Sequence, residues 1–362
     1  MAKYTTAPNG NVFYSVEGVV ERRDANGNIP FCVMISGNRN AGKSFSAKLY
    51  CITDSLKHGQ KFCFFYRYQT DMDGVNKIFT DIENDPTQRW KHFKNWSVKK
   101  SMRQCYDIYM DGKHVGYTVC LNLAGKVKDI SARLSDTRWM FMDEFQSEDG
   151  KYIPDEFAKL ESVSRSIARG KGKYLRPECR LMMCSNFVTL LNPYYVAKGV
   201  DKRLKSDTTL MRGNGWVLEI VNNEGAKKGI EESALGQFFA GTAYSDSANE
   251  NKFLHDCMNF VDKNIKGTRK PLCNLVHHGE TYGIWVITYR GEKVYYVNHK
   301  YDPNFPLKFC YSMFDHTEDI NMISGQYKMF KYLLDFFNAG KMKFEDLRCK
   351  NVFLDIFGLG VV

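Results

Sequence analysis

The first strong pattern along the chain is an unbroken apolar run, FCVMI at residues 31–35, which has strand length and ends at a glycine turn. Beyond the turn, SFSAKLYCITDSL (44–56) spaces its apolar residues at helical intervals and closes before Gly59. KFCFFYRY (61–68) is again strand-like. YDIYMDGKHVGYTVCL (106–121) predicts two strands reversed at Asp111–Gly112. WMFMDEF (139–145) and LMMCSNFVTLLNPY (181–194) add apolar runs that end in polar residues. Strand-like and helix-like segments therefore alternate through residue 211, as in an α/β domain. RGNGWVLEIVNNEGAKKGIEESALG (212–236) concentrates glycine and charge and predicts a linker, taken here as residues 212–250. Residues 251–362 hold strand-like LCNLV, YGIWVITY and KVYYVNH, then a helical QYKMFKYLLDFFNA (326–339) stopped at Gly340, which reads as a small α+β domain.

Composition narrows the class. A chain of 362 residues suits two domains, and 43% hydrophobic with 25% charged residues fits a globular protein. Residues 1–12 are polar, are expected to be loose, and lack the features of a signal peptide. Charges interrupt every apolar run, so no membrane span and no membrane partner is expected. A net charge of +10 suits a polyanionic partner. Eleven cysteines without a CxxC pair predict free thiols in a reducing cytosol. A zinc cluster is not expected, because His277 and His278, adjacent in a strand, would point to opposite faces.

The turn after FCVMI spells GNRNAGKS, Gly37 to Ser44, and fits G-x-x-x-x-G-K-[ST]. By average residue usage the pattern arises by chance in roughly one such chain in a hundred; here a strand precedes it and a helix follows. Gly37 and Gly42 allow backbone angles that turn amides inward, forming an anion nest with Asn38, Arg39, Asn40, Ala41 and Phe45 around it. The helix N-terminus adds positive potential. Lys43 is expected to reach the β and γ phosphates of ATP, and Ser44 to offer its hydroxyl to Mg²⁺. WMFMDEF supplies the partner strand, with Asp143 on the metal side and Glu144 as general base for an attacking water. A carboxylate beside the metal aspartate points to water as phosphoryl acceptor, hence an ATPase. Ser185 and Asn186 end the next strand and are candidates to couple the γ-phosphate to the rest of the molecule.

Two basic stretches flank these motifs. SRSIARGKGKYLRPECR (164–180) carries Arg165, Arg169, Lys171, Lys173, Arg176 and Arg180. It reads as an arginine finger for a neighbour, as a contact to nucleic-acid phosphates, or as a solvated loop. RWKHFKNWSVKKSMR (89–103) interleaves aromatics with cations, which suits either base stacking or a half-buried strand with a charged face.

Several segments in order resemble the genome-packaging ATPases of the phi-29-like bacteriophages: GNRNAGKSFSAKLY, FFYRYQTD, MDGKHVGYTV, MFMDEF with KYIPDE, MCSNFVTLLNPYY, YGIWVITYRGEKVYYVNHKYDP and FFNAGKMKFED. The resemblance covers about residues 30–350 and implies a P-loop ATPase domain of the additional-strand, catalytic-glutamate class. It implies a second domain of RNase H-like fold, a vestigial nuclease. It further implies a homo-oligomeric ring, typically a pentamer, that acts on the portal vertex of a procapsid in the host cytoplasm and drives double-stranded viral DNA inward, with a structural RNA as a candidate partner. Arg39 sits where the family's loop has its arginine. The trans-acting arginine falls on Arg169, with Arg165 as fallback, and the trans-acting lysine on Lys128, with Lys126 and Arg133 as alternatives. Lys77, Lys99, Lys100 and Arg103 are candidates to grip DNA phosphates. Glu280, Asp302 and Asp315 form no acidic triad in the sequence, so cleavage is not expected. The competing expectations are a terminase-like ATPase with a live nuclease and a helicase-like ATPase.

Overall fold

A computed structural model describes residues 2–6, 10–84, 95–169, 176–205, 207–242, 259–263, 265–289 and 291–357. The chain divides into two compact units, Met1–Val188 with Asn192–Leu254, and Thr189–Leu191 with His255–Val362.

In the first unit the elements run β1 (Lys3–Thr6), β2 (Val12–Ser15), α1 (Glu17–Val20), β3 (Cys32–Gly37), α2 (Lys43–Lys57), β4 (Lys61–Tyr66), α3 (Gln69–Met72), α4 (Val75–Glu83) and β5 (Trp96–Met102). They continue with β6 (Cys105–Met110), β7 (Lys113–Cys120), α5 (Ala124–Asp129), β8 (Thr137–Met142), α6 (Glu156–Ala168), β9 (Arg180–Asn186) and α7 (Pro193–Lys198). β10 (Leu210–Gly213), β11 (Trp216–Val221), α8 (Glu224–Glu231) and α9 (Ala234–Phe239) complete the unit. One nine-stranded sheet orders them β10-β11-β3-β9-β8-β4-β7-β6-β5. The six from β11 to β7 are mutually parallel. Parallel strands are buried on both faces, which is why FCVMI, KFCFFYRY and LMMCSN read as unbroken apolar runs rather than alternating ones. The acid-ended strand β8 is not beside β3; β9 lies between them.

The Asp111–Gly112 reversal is present as expected, with φ of 48° and 74°, the two positive values a tight two-residue hairpin needs. Two expectations change. WVLEIV, expected within the linker, is β11, paired parallel to β3 along its whole length. The flanking Gly213 and Gly215 mark a hairpin turn to β10, not a flexible tether. Residues 1–12, expected to be loose, contribute β1, which pairs with β2. β2 holds Tyr14 and leads into Val16, each 1% exposed, and the Tyr14 amide donates to the Ala41 carbonyl at 2.9 Å. The N-terminal segment thus buttresses the glycine loop Gly37–Ser44.

The second unit holds β12 (Arg269–His277), β13 (Glu280–Tyr289), β14 (Glu292–Asn298), β15 (Lys308–Cys310), β16 (Asn321–Met322), α10 (Tyr327–Asn338), β17 (Met342–Phe344) and α11 (Leu347–Ile356). Its sheet runs β16-β15-β12-β13-β14-β17: an antiparallel meander β12-β13-β14, with parallel strands added at both edges. Cys273, Leu275, Ile284, Val297, Phe344 and Phe353 pack its core. The adjacent histidines do not point apart: β12 ends at His277, His278 takes φ 49° in the turn, and the two rings lie 4.2 Å apart by centroid, at one corner with Asp355. The ten described cysteines are free and buried. Among the described residues no helix is long and apolar enough to cross a membrane.

Candidate active site

The two glycines of the loop are required for different reasons. Gly42 caps α2 with φ 87°, a left-handed conformation that disfavours a side chain. Gly37 has no such angle; a Cβ there would lie 2.0 Å from the Val221 carbonyl oxygen, so close approach of β11 excludes any larger residue. The expectation that both glycines serve backbone angle is corrected at Gly37. Asn40 supplies the loop's other positive φ, 56°.

Only part of the loop presents side chains to a ligand. Asn38 is 1% exposed, and its amide group exchanges hydrogen bonds with the main chain of Asn223, donating at 3.3 Å and accepting at 3.1 Å. Ala41 is fully buried and Phe45 packs on the core. Asn38 and Ala41 can therefore offer a ligand backbone at most, while Phe45 stays partly exposed. Lys43 is 5% exposed, and its ammonium donates to Gly37 O (3.1 Å), Asn38 O (2.5 Å) and Asn186 Oδ1 (3.2 Å). Burial lowers its pKa to about 8.

Ser44 donates its hydroxyl to Asp143 Oδ1 at 2.7 Å, which joins the loop to the end of β8. The other Asp143 oxygen accepts the Lys48 ammonium at 2.6 Å. An ammonium thus already lies against this carboxylate beside a hydroxyl, so the donor set fits a divalent cation. Glu144 follows, exposed, with φ 51°. A non-glycine residue there costs roughly 1–2 kcal/mol, so something must hold it. Arg67 does so. Its guanidinium donates to Glu144 O (2.7 Å) and Phe145 O (2.8 Å), while Nε meets both Glu156 oxygens at 3.1 and 2.9 Å. The Glu156 side chain is fully buried and also accepts from Tyr194 OH (2.5 Å) and the Ile153 amide (3.1 Å). Burial works against the Arg67 charge, but Glu156 more than offsets it and raises the Arg67 pKa.

Asn186 lies in contact with the loop. It accepts from Lys43, and its Nδ2 donates to Glu148 Oε1 at 3.2 Å, the oxygen that also pairs with Arg39. Ser185 faces away: its hydroxyl lies 3.1 Å from Ser36 on β3 and is buried beneath Tyr195. Its expected ligand-sensing place is therefore a strand-to-strand contact, set by the Ser36–Ser185 register. A cavity of about 370 Å³ opens beside the acids, lined by Lys48, Arg67, Asp71, Lys77, Asp143 and Glu144 among others. This puts Lys77 on the wall of the same cavity as Asp143 and Glu144.

The remaining cationic candidates separate. Lys126, Lys128 and Arg169 are exposed. Arg165 pairs with Glu161 within α6, at 2.8 Å from Nε, and Arg133, in the turn before β8, pairs with buried Asp107 of β6. α5 packs against α6, so Lys126, Lys128, Arg165 and Arg169 belong to one helical pair. Lys171 and Lys173 lie outside the described residues. On the edge strand β5, Trp96 stacks on Phe79 at 4.2 Å, Lys99 lies 4.5 Å from the Tyr109 ring centroid, and Lys100 pairs with Asp73 at 2.6 Å. Arg103 donates to Gln69 at 3.2 Å. The half-buried strand describes residues 96–102 better than a stacking platform does, since Trp96 is turned inward.

Sequence reasoning missed Lys48, Arg67, Glu148 and Glu156. Lys48 carried a readable signal, being four residues after Ser44 on one helix face. Arg67 directly follows a buried strand, as residues at the carboxyl ends of parallel strands often serve sites.

The family model described as Podovirus DNA encapsidation protein (Gp16) matches residues 25–360. The DNA packaging protein of Bacillus phage B103 is 24% identical over 331 residues, covering 89% of this chain and 95% of that one. That of Bacillus phage phi29 is 24% identical over 332 residues, covering 89% and 92%. Among solved structures, a chain of the bacteriophage Phi-29 viral genome packaging motor assembly superposes with a TM-score of 0.66 at 20% identity, over 96% of this chain and 98% of that one.

Proposed function

The chain belongs to the podovirus DNA encapsidation protein (Gp16) family, and from that premise we propose that it is the ATP-hydrolysing subunit of a ring motor that drives double-stranded viral DNA into a procapsid. The observation that carries the catalytic half is the Ser44–Asp143 hydrogen bond, which brings the phosphate loop and the acid-ended strand into one site with Glu144 beside it. The placement of β9 between β3 and β8 supports the additional-strand class of ATPase. The meander with parallel edge strands supports an RNase H-like second domain.

ATP phosphates occupy the amide nest, and Lys43 leaves the Gly37 and Asn38 carbonyls to meet them. Mg²⁺, held by Ser44 and Asp143, would screen the β- and γ-phosphate charge. Glu144, fixed by Arg67, takes the proton of the attacking water. Asn186 loses Lys43 as a donor when phosphate arrives, and this change reaches Glu148 and Arg39. Arg169 and Lys128 complete the site of an adjacent subunit, where they meet charge that develops in the transition state. Lys99, Lys100 and Arg103 are exposed and are the candidates to touch DNA phosphates; a portal and a structural RNA remain partners by family analogy.

The test is the ATPase rate against protein concentration, with and without duplex DNA. Activity per subunit should rise steeply with concentration and with DNA. Glu144→Gln should bind ATP normally and turn over at least about a hundredfold more slowly. A dilute monomer as active as the oligomer, indifferent to duplex, would sink the motor reading.

A further inference from the structure

The parallel register of β14 with β17 pairs Val297 with Phe344. Two residues further along each strand, His299 and Asp346 therefore emerge side by side at the same end of the second unit's sheet. Asp346 is the N-cap of α11, and its Oδ1 accepts the Cys349 amide at 2.9 Å. Its free oxygen, Oδ2, meets His299 Nε2 at 2.8 Å. The capping geometry places Cys349 in the first turn above the same carboxylate. Imidazole nitrogen, carboxylate oxygen and thiol sulfur all lie within 4.8 Å of one another. Glu345 adjoins them, with its Oε2 accepting the His299 amide at 3.0 Å.

We propose that His299, Asp346 and Cys349 form a three-ligand binding site for a tetrahedral borderline metal ion, zinc being the natural occupant, with the fourth position open to water. The donor set decides the metal. Sulfur and imidazole favour zinc over magnesium or calcium, which take oxygen shells. Bonds of about 2.0–2.3 Å set tetrahedral ligand separations of about 3.3–3.8 Å, so the His299–Asp346 contact opens by about half an ångström and the Cys349 thiol, within 4.8 Å of both, adjusts to the same separation. Access fits as well. Cys349 is fully buried and forms the floor, while the His299 and Asp346 side chains, 38% and 35% exposed, form the mouth. The second described cluster, His277, His278 and Asp355, offers no sulfur and sits on an exposed turn, so it is the weaker candidate. A bound ion would fasten α11 to the β14–β17 edge. The sequence hides the site because His299 is 47 residues from Asp346.

The experiment titrates the reduced, full-length chain with Co²⁺. One equivalent should produce thiolate-to-cobalt charge transfer together with the intense d–d bands of tetrahedral coordination, and Zn²⁺ should displace both. His299→Ala, a partly exposed position that should fold, should weaken binding at least about tenfold. Cys349→Ser should remove the charge-transfer band, and His277→Gln should leave the spectrum unchanged. Circular dichroism confirms that each variant is folded. No charge-transfer band in the natural sequence, or a band that persists in His299→Ala, would overturn the proposal. The outcome is independent of ATP hydrolysis.

Discussion

At Lys43 a single side chain carries a pH-dependent consequence. Burial lowers its pKa to about 8, below the value of an exposed lysine, so folding disfavours the ammonium. In the free protein this group therefore costs stability below about pH 8, and the cost fades as the pH rises toward the unfolded value. A triphosphate reverses the balance by favouring the charged form. ATP binding should take up about half a proton at pH 8 and close to one about a unit higher, and affinity should fall as the pH rises further. Calorimetry in buffers of different ionisation enthalpy reads the uptake, and Lys43→Arg, which stays charged, should abolish it. Lys48 argues the same way for the metal. Its ammonium holds Asp143 Oδ2, where it repels a second cation. The pair is partly exposed and worth at most about 1 kcal/mol, so Lys48→Met should lower the Mg²⁺ needed for fluorescent-nucleotide binding by up to about fivefold. Raised or unchanged Mg²⁺ dependence would remove Lys48 from this role.

Among the elements, the strands that carry chemistry were legible because parallel strands leave unbroken apolar runs, and each such run ended in a polar residue. GNRNAGKS and MDEF could be placed on strand ends for that reason. What escaped was contact between elements distant in sequence. β11 reads as linker because dense glycine and charge flank its short apolar run, WVLEIV; in the fold it presses the Val221 carbonyl against Gly37. Arg67 escaped because its partners, the Glu144 and Phe145 carbonyls and Glu156, lie 77 to 89 residues away. That link should be strong. Arg67→Ala leaves the Glu156 carboxylate buried without its cation, so urea unfolding should show a loss of roughly 3–5 kcal/mol. The double variant Arg67→Met/Glu156→Gln removes the stranded charge and should recover a good part of that loss. It should not recover turnover, because nothing then fixes the main chain at Glu144. Recovery of both would reduce Arg67 to a packing role.

The molecule as a whole poses a question that one subunit cannot answer, because the cations expected to act in trans stand exposed on the α5–α6 pair. Arg165 and Arg133 are already paired with Glu161 and Asp107 within the subunit, and Arg169 and Lys128 stand exposed as the candidates to reach a neighbour. A contact in which one face supplies the loop and a different face supplies the arginine is heterologous, and repetition of it gives a ring where the rotation between subunits closes. This predicts complementation. Lys43→Ala subunits have a dead loop but a sound Arg169; Arg169→Ala subunits have the reverse. Each preparation alone should be nearly inactive. In an equimolar mixture, some interfaces join a sound loop to a sound arginine, and DNA-stimulated ATPase activity should reappear at a fraction of the natural rate. The same mixture made with Lys43→Ala/Arg169→Ala subunits in place of Lys43→Ala should stay silent, because no interface can then be complete. Activity in the first mixture but not the second assigns Arg169 to the neighbour's site; silence in both moves the trans cation to Lys128, Lys126 or Arg165, to be tested by the same pairing.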